Sequence, residues 1–283
     1  MAKENLVLLY GIVEGKPRIY ESDGEAIQAM FVMSVMRRFT NEKGVTIRAR
    51  MDMVTLITRT PEVIKDIRQL QEFDMVDIKG VFTTLPAVKR FECPYCKHKT
   101  EINGQYAFVT PLSVRKRKHV EDRKAGFEEL KNENEISNMV LCIGTVCQTP
   151  RLYVSEDGLT VCQYPLAVNR KVKISADDPT NKTDWPWVKT FGEQAKQDMD
   201  TLAEGATVYV DGSFQVRKRP RKIECEQCGQ VFEKQETISE INPYSVEYLF
   251  NNKNKSNEDD YDGWNFDYEL PIDGLGEADD EII

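Results

Sequence analysis

The sequence predicts a mainly β protein made of two copies of one five-stranded barrel, and three observations lead to this prediction. First, the Cys-x-x-Cys motif at residues 93–96 recurs at residues 225–228, displaced by 132 positions. Second, the surrounding residues repeat at nearly the same offset, as Gly-x-Phe at 80–82 does at 212–214. Third, each copy orders its apolar, β-branched segments as three strands, a helix and two strands.

The first copy, residues 1–118, carries this order clearly. Its predicted strands cover residues 6–13, 30–39, 45–57, 75–82 and 106–112. After Pro61, the apolar residues at 63, 64, 67 and 70 share one face of a predicted helix that has Pro in its first turn. The first Cys-x-x-Cys knuckle lies in the loop after the fourth strand. Three strands, a helix and two strands is the order of an OB-fold barrel.

The second copy, residues 138–250, repeats the order with a knuckle in its own loop between strands four and five. Its predicted strands cover residues 139–146, 160–169, 187–191, 207–214 and 237–245, with a helix at 193–203. A linker, residues 119–137, joins the copies and contains a predicted helix at 125–136. Residues 251–283 hold too few apolar side chains to bury a core, so they predict a disordered tail.

The acidic residues are concentrated in that tail. Eleven Asp or Glu and no Lys or Arg lie between Glu258 and Ile283, which leaves 36 of the 47 acidic residues against all 38 basic ones in the rest of the chain. The net charge of −9 therefore conceals a nearly balanced, slightly basic body. The chain has no apolar run near the roughly 18 residues of a membrane span and no signal-peptide pattern at its start, so we expect a soluble, intracellular protein.

Four of the seven cysteines are predicted metal ligands. In a reducing compartment a Cys-x-x-Cys pair is more often half of a metal site than a disulfide. Because each motif supplies two thiolates, one structural zinc ion bridging the barrels is the economical hypothesis, with ligands Cys93, Cys96, Cys225 and Cys228. A redox dithiol and a site shared between two chains remain alternatives. Cys142, Cys147 and Cys162 are predicted core residues.

Four stretches of the second copy have a recognisable pattern, at residues 138–144, 164–170, 183–195 and 205–212. Together they resemble the bacterial single-stranded DNA-binding protein family. The resemblance implies that Trp185 and Phe191 stack on bases, and that basic residues at Arg170 and after Gly212 follow phosphates. In the first copy, Met51, Met53 and Ile57 stand where Trp185, Trp187 and Phe191 are expected.

Elementary physical chemistry leads to the same surface. A groove for unpaired strands needs Lys and Arg along the backbone path and flat aromatic rings for the bases. The chain supplies a candidate set in Trp185, Trp187, Phe191, Arg170, Lys171, Lys173, Arg217, Lys218 and Arg219, to which the first copy adds Arg37 and Arg38. The alternative is that these aromatic rings belong to the core and that the basic runs are only solvated faces.

The end of the tail is a candidate partner site. It carries an acidic cluster before two apolar residues, Asp279, Asp280, Glu281, Ile282 and Ile283. This arrangement resembles the acidic tip with which the family recruits partner enzymes, and a carboxylate cluster with a terminal apolar side chain suits a basic surface next to a pocket. Competition with nucleic acid for the protein's own groove, or simple solubilisation, are alternative roles.

These observations predict a non-catalytic protein that coats and protects single-stranded DNA in replication, recombination or repair, with zinc as its only cofactor. The expected partners are single-stranded DNA and, through the tail, replication or recombination proteins. No association with a membrane is expected, and the chain is a candidate to form a homo-oligomer. The resemblance implies the cytoplasm of a bacterium or a phage-infected host. An RNA-binding OB-fold or an accessory hub remains the alternative, and a DNA-processing enzyme fits less well because two His and no phosphate-binding Gly loop are present.

Overall fold

The computed structural model describes residues 3–40, 46–132, 136–154, 158–174 and 183–250. The N-terminal half comprises β1 (Glu4–Ser22), β2 (Glu25–Thr40), β3 (Thr46–Thr58), α1 (Pro61–Arg68), β4 (Asp74–Glu92) and β5 (Lys99–His119). A connecting helix follows, α2 (Arg123–Asn132). The C-terminal half comprises β6 (Asn138–Val146), β7 (Arg151–Val154), β8 (Thr160–Asn169), β9 (Thr183–Asp184), β10 (Trp187–Phe191), α3 (Gly192–Thr201), β11 (Thr207–Glu224) and β12 (Val231–Phe250).

The strands of the N-terminal half close on themselves. β1 pairs with β2, β2 with β3, β3 with β5, β5 with β4, and β4 with β1 again, with only β3 and β5 parallel. Alternating side chains point into this barrel, and α1 adds Val63, Ile64 and Ile67 to the core. The prediction of a mainly β chain with a closed five-stranded barrel is confirmed.

The C-terminal half has the same order of pairings, from β6 through β8, β10, β12 and β11 back to β6. Its only parallel pair is β10 with β12, where Val188 lies opposite Ile241. In the N-terminal half the parallel pair places Leu56 opposite Val109. Both residues of one pair are displaced by 132 positions from those of the other, so the register of the two halves corresponds residue by residue in this region.

The two halves join through their first strands. β1 pairs antiparallel with β6, and Val7 lies opposite Val140, its own counterpart in the repeat. Phe82 and Phe214, which are also counterparts, place their ring centroids 4.9 Å apart. When equivalent residues meet each other, the two halves are related by an approximate twofold axis at this point.

A pair of buried asparagines fixes the strands beside this axis. The Asn5 amide donates to the carbonyl of Phe82 at 2.9 Å and accepts the Phe82 N–H at 2.8 Å. Asn138 makes the same two bonds with Phe214, at 2.7 and 2.8 Å. Each side chain thereby satisfies two backbone groups that would otherwise be buried without partners.

The hairpins between the last two strands of each half are longer than the sequence predicted. The predicted strand at residues 75–82 extends to Glu92, and the one at 237–245 begins at Val231, so each knuckle lies at the tip of a long hairpin. The predicted helix at 125–136 corresponds to α2, which begins at Arg123, and its predicted residues 133–135 lie outside the described residues. The strands β7 and β9 were not predicted. No helix among the described residues is long and apolar enough to cross a membrane.

Candidate nucleic-acid interface

The outer side of β10 carries a row of large side chains. Along residues 187–191, Val188 and Thr190 point into the core and are buried, while Trp187, Lys189 and Phe191 point outward and are half-buried. This alternation follows directly from the period of two in a strand. The predicted stacking residues Trp187 and Phe191 therefore lie on one face, with a cation between them.

Neighbouring strands extend this row into a surface. Opposite Phe191 lies Val161 of β8, and opposite Val161 lies Tyr153 of β7, so the Tyr153 and Phe191 rings flank one apolar residue on the same face. The Lys189 ammonium lies 5.5 Å from the centroid of the Phe191 ring and 5.8 Å from that of Tyr153. We name Tyr153, Trp187, Lys189 and Phe191 the aromatic face.

Trp185 lies where the two halves meet. Its backbone N–H donates to the hydroxyl of Thr84 at 2.9 Å, and its carbonyl accepts from the Gln105 amide at 3.0 Å. Both partners belong to the β4–β5 hairpin of the N-terminal half. The Trp185 side chain is 36% exposed, which leaves ring surface available for a base.

Two arginines predicted as phosphate contacts are instead buried in ion pairs. Arg170 is 3% exposed and binds the Asp184 carboxylate at 2.5 Å, and Arg37 is 3% exposed and binds Asp52 at 2.9 Å. Each carboxylate also accepts a backbone N–H from the opposite half. Asp184 accepts that of Thr84 in β4, and Asp52 accepts that of Val216 in β11. These guanidinium groups bind carboxylates that connect the two halves, and they do not face the solvent.

The remaining predicted basic residues differ in availability. Lys173, Lys218 and Arg219 are exposed, and Lys171 is exposed beside Glu4. Arg217 is half-buried and pairs with Glu240 at 2.7 Å. Arg38 donates to the carbonyl of Leu130 in α2, so the structure uses it to hold the connecting helix. The exposed cations therefore lie at the β8 end and along the β11 hairpin.

Comparison with known proteins identifies the half that carries this surface. Residues 137–240 match the sequence profile of the single-strand binding protein family. These residues form a domain of the single-strand binding protein family. The resemblance inferred from residues 138–212 is thereby confirmed.

Two curated single-stranded DNA-binding proteins match part of the chain. A single-stranded DNA-binding protein of Thermotoga maritima is 28% identical over 81 residues, which make up 29% of this chain and 57% of that protein. One from Xylella fastidiosa is 26% identical over 81 residues, 29% of this chain and 49% of that protein. The aligned stretch thus spans about half the length of these relatives.

A solved family structure matches most of the chain in fold. The crystal structure of the wild-type single-stranded DNA binding protein from Thermus aquaticus aligns with 90% of this chain and 98% of its own, with a TM-score of 0.54 and 18% identity. A deletion mutant of the same protein aligns with a TM-score of 0.53. At this identity the match concerns the fold alone.

The N-terminal half has other residue types at most of the positions that are aromatic on the outer surface of the C-terminal half. Its ion pair at Asp52 corresponds to that at Asp184, so Met53 is the counterpart of Trp185, Thr55 of Trp187 and Arg59 of Phe191. The assignment of Met51, Met53 and Ile57 to the three aromatic positions was therefore displaced by two residues at each position. Among the counterparts of Trp185, Trp187, Phe191 and Tyr153, the aromatic one is Tyr20, which corresponds to Tyr153.

The four knuckle cysteines converge between the two hairpins. The Cys93 and Cys228 sulfurs lie 3.7 Å apart, and those of Cys96 and Cys225 lie 3.5 Å apart. All four sulfurs lie within 4.8 Å of one another, an arrangement able to hold a metal ion. The other three cysteines belong to the C-terminal half, and burial raises the pKa of Cys142 to about 12 and that of Cys147 to about 11.

Sequence reasoning missed Tyr153 and Lys189. The available signal was the alternation along Trp187, Lys189 and Phe191, which places the lysine on the same side as both aromatics. Tyr153 needed the register of β7 against β8, which the sequence does not contain. The predicted tail residues 279–283 lie outside the described residues.

Proposed function

We propose that this protein binds single-stranded DNA without regard to sequence, coats and protects it, and does so without catalysis. The observation that carries the proposal is the aromatic face, where the Lys189 ammonium lies over both the Tyr153 ring, at 5.8 Å, and the Phe191 ring, at 5.5 Å. Any base can stack on an exposed aromatic ring, and a cation beside the rings attracts the phosphate backbone of the nucleic acid. The family matched by residues 137–240 and the two curated relatives, both single-stranded DNA-binding proteins, support this function.

Fluorescence anisotropy of a labelled oligo(dT) tests the proposal. We expect tight binding to the single strand, weak binding to the duplex, and loss of affinity in Trp185→Ala and Phe191→Ala. A matched RNA oligomer in the same assay distinguishes DNA binding from the alternative RNA-binding role. Equal affinity for duplex and single strand, or unchanged affinity in both variants, would reject the proposal. To test for catalysis, labelled DNA is incubated with the same samples, and we expect it to be neither cut nor joined.

We propose that the halves are tandem OB-fold barrels, at residues 1–118 and 138–250, joined by the linker at 119–137. The closed circuits of pairings, the shared register offset and the equal pair of buried asparagines support a duplication. Each barrel carries its Cys-x-x-Cys knuckle at the tip of its own hairpin. The proposal predicts that Asn5→Ala and Asn138→Ala destabilise the chain by similar amounts in urea unfolding, and strongly unequal losses would argue against it.

We propose that the acidic residues at 251–283 recruit replication or recombination proteins. The sequence from Glu258 to Ile283 carries eleven acidic residues and ends in two isoleucines. A chain truncated after Phe250 should retain single-strand binding but fail to retain partner proteins from a bacterial extract, and Ile283→Asp in the full chain should share that loss. Such a role places the protein in the cytoplasm of a bacterium or phage-infected host.

A further inference from the structure

We infer that Cys93, Cys96, Cys225 and Cys228 bind one structural zinc ion, and that this ion joins the two halves at the tips of their hairpins. Two ligands come from the turn between β4 and β5 in the N-terminal half, and two from the turn between β11 and β12 in the C-terminal half. The inference rests on the thiol geometry and holds whether or not the protein binds DNA.

The spacing of the sulfurs fits a tetrahedral metal site. With Zn–S bonds of about 2.3 Å, the sulfurs of a tetrahedron lie about 3.8 Å from one another. The two measured separations between hairpins are 3.7 and 3.5 Å, and all four sulfurs fall within 4.8 Å. A disulfide needs about 2.05 Å. The sulfurs are therefore spaced for a shared ion and not for two cross-links.

The two knuckles have the same backbone turn. The Lys97 N–H donates to the Cys93 carbonyl at 3.0 Å, and the Gly229 N–H donates to the Cys225 carbonyl at 2.8 Å. Lys97 and Gly229 are counterparts in the repeat, and their φ angles are 64° and 66°. A positive φ is uncommon for lysine. The first knuckle keeps the turn although its residue disfavours it, which is consistent with a turn fixed by what the sulfurs bind.

The apolar cluster around the sulfurs is small. Its buried members are Cys93, Ile223, Cys225 and Phe232, with Phe91, Cys96 and Ile102 partly buried against them. Small clusters of this size rarely hold two elements together without a metal or a disulfide. The Lys89–Glu236 ion pair, at 2.6 Å, also crosses between the hairpins. A zinc ion supplies the missing stabilisation at the tips.

The site has a mechanical consequence for the arrangement of the halves. They already meet at the β1–β6 pairing and at the Phe82–Phe214 contact. Cys93 follows Phe82 by eleven residues of nearly continuous strand, which span roughly 35 Å. The ion therefore forms a second junction far along the hairpins from the first. Zinc is the metal expected because four thiolates in a tetrahedron select zinc or iron, and zinc is the usual ion of closed structural sites.

Metal analysis of the full-length chain tests the inference. The protein is purified under reductant, its metals are quantified by mass spectrometry, and its molar mass is measured by light scattering. We expect one zinc ion per chain, lost in Cys93→Ser and in Cys228→Ser, one variant from each hairpin. Cys147→Ser is the matched control, because Cys147 lies outside the cluster, and it should retain one zinc ion per chain.

Three results would overturn the inference. Reduced protein free of metal, or protein containing iron instead, contradicts the zinc assignment. Half an ion per chain in a dimer shows a site shared between chains. An intact mass lower by two hydrogens per thiol pair shows disulfides. Should the serine variants fail to fold, cobalt substitution of the wild-type chain tests the ligand set. Four thiolates bound to cobalt give intense sulfur-to-cobalt charge-transfer bands, and the absence of these bands would refute the ligand set.

Discussion

Replacing Tyr153 by alanine should weaken single-strand binding, whereas replacing its counterpart Tyr20 should not. Both side chains are 39% exposed, and each occupies the same position on the outer face of its half. Across the strands from Tyr153 lie Val161 and Phe191; across from Tyr20 lie Gln28 and Arg59, which bond to each other at 3.2 Å. Only the first position therefore belongs to a continuous aromatic surface.

The expected magnitude follows from the stacking energy. Loss of one base–aromatic stack costs roughly 1 to 3 kcal/mol, which is about a 5- to 150-fold rise in Kd. Tyr153→Ala should fall in this range, and Tyr20→Ala should change Kd by less than about threefold if its half makes no stack. Anisotropy titrations with oligo(dT) at one fixed salt concentration measure both, and thermal unfolding confirms that both variants fold. Equal losses in the two variants would refute the assignment of the stacking surface to the C-terminal half.

Three further outcomes follow from the electrostatics. Asp184→Asn removes the carboxylate charge that the buried Arg170 binds and should cost roughly 3 to 5 kcal/mol in urea unfolding, whereas Lys171→Gln, at an exposed pair, should cost less than about 1 kcal/mol. Burial raises the pKa of Glu236, but the hydrogen bond from Lys89 and the charges of Arg221 and Arg219 outweigh it and hold the pKa below its ordinary 4.5. Its stabilising effect is therefore full above that value and is lost as the pH falls through the lowered pKa, so Glu236→Gln should flatten the acid decline of the unfolding free energy. Lys173→Gln should reduce the slope of log affinity against log salt by about 0.7 if the lysine contacts one phosphate, and an unchanged slope would exclude that contact.

The repeat, the strand order and the convergence of the knuckles could be predicted because each leaves a local mark in the sequence. Gly80 and Gly212 recur for a steric reason, since a Cβ at either position would lie within 2.7 Å of a carbonyl oxygen on the neighbouring strand. The cysteines recur at equal spacing, which places each pair at the tip of the corresponding hairpin. Local patterns of this kind survive because they do not depend on distant packing.

The roles of Arg37 and Arg170 could not be predicted from the same signals. A basic residue after a strand has the same local sequence whether it faces solvent or a buried carboxylate, and only the tertiary structure brings Asp52 and Asp184 within 2.9 and 2.5 Å of them. The extension of the hairpins was missed because residues 85–92 mix charged and apolar side chains, which is typical of a loop. These residues form part of β4 because they pair with β5 across the hairpin.

The meeting of Val7 with Val140 suggests how the chain acquired unequal halves. Any sequence change in a symmetric dimer of identical subunits appears twice, so neither copy can lose its stacking rings without the other losing them too. Once a linker joins two copies in one chain, a mutation changes one half and leaves the other unchanged. The half with Met53 and Arg59 can then diverge while the half with Trp185 and Phe191 keeps its aromatic residues.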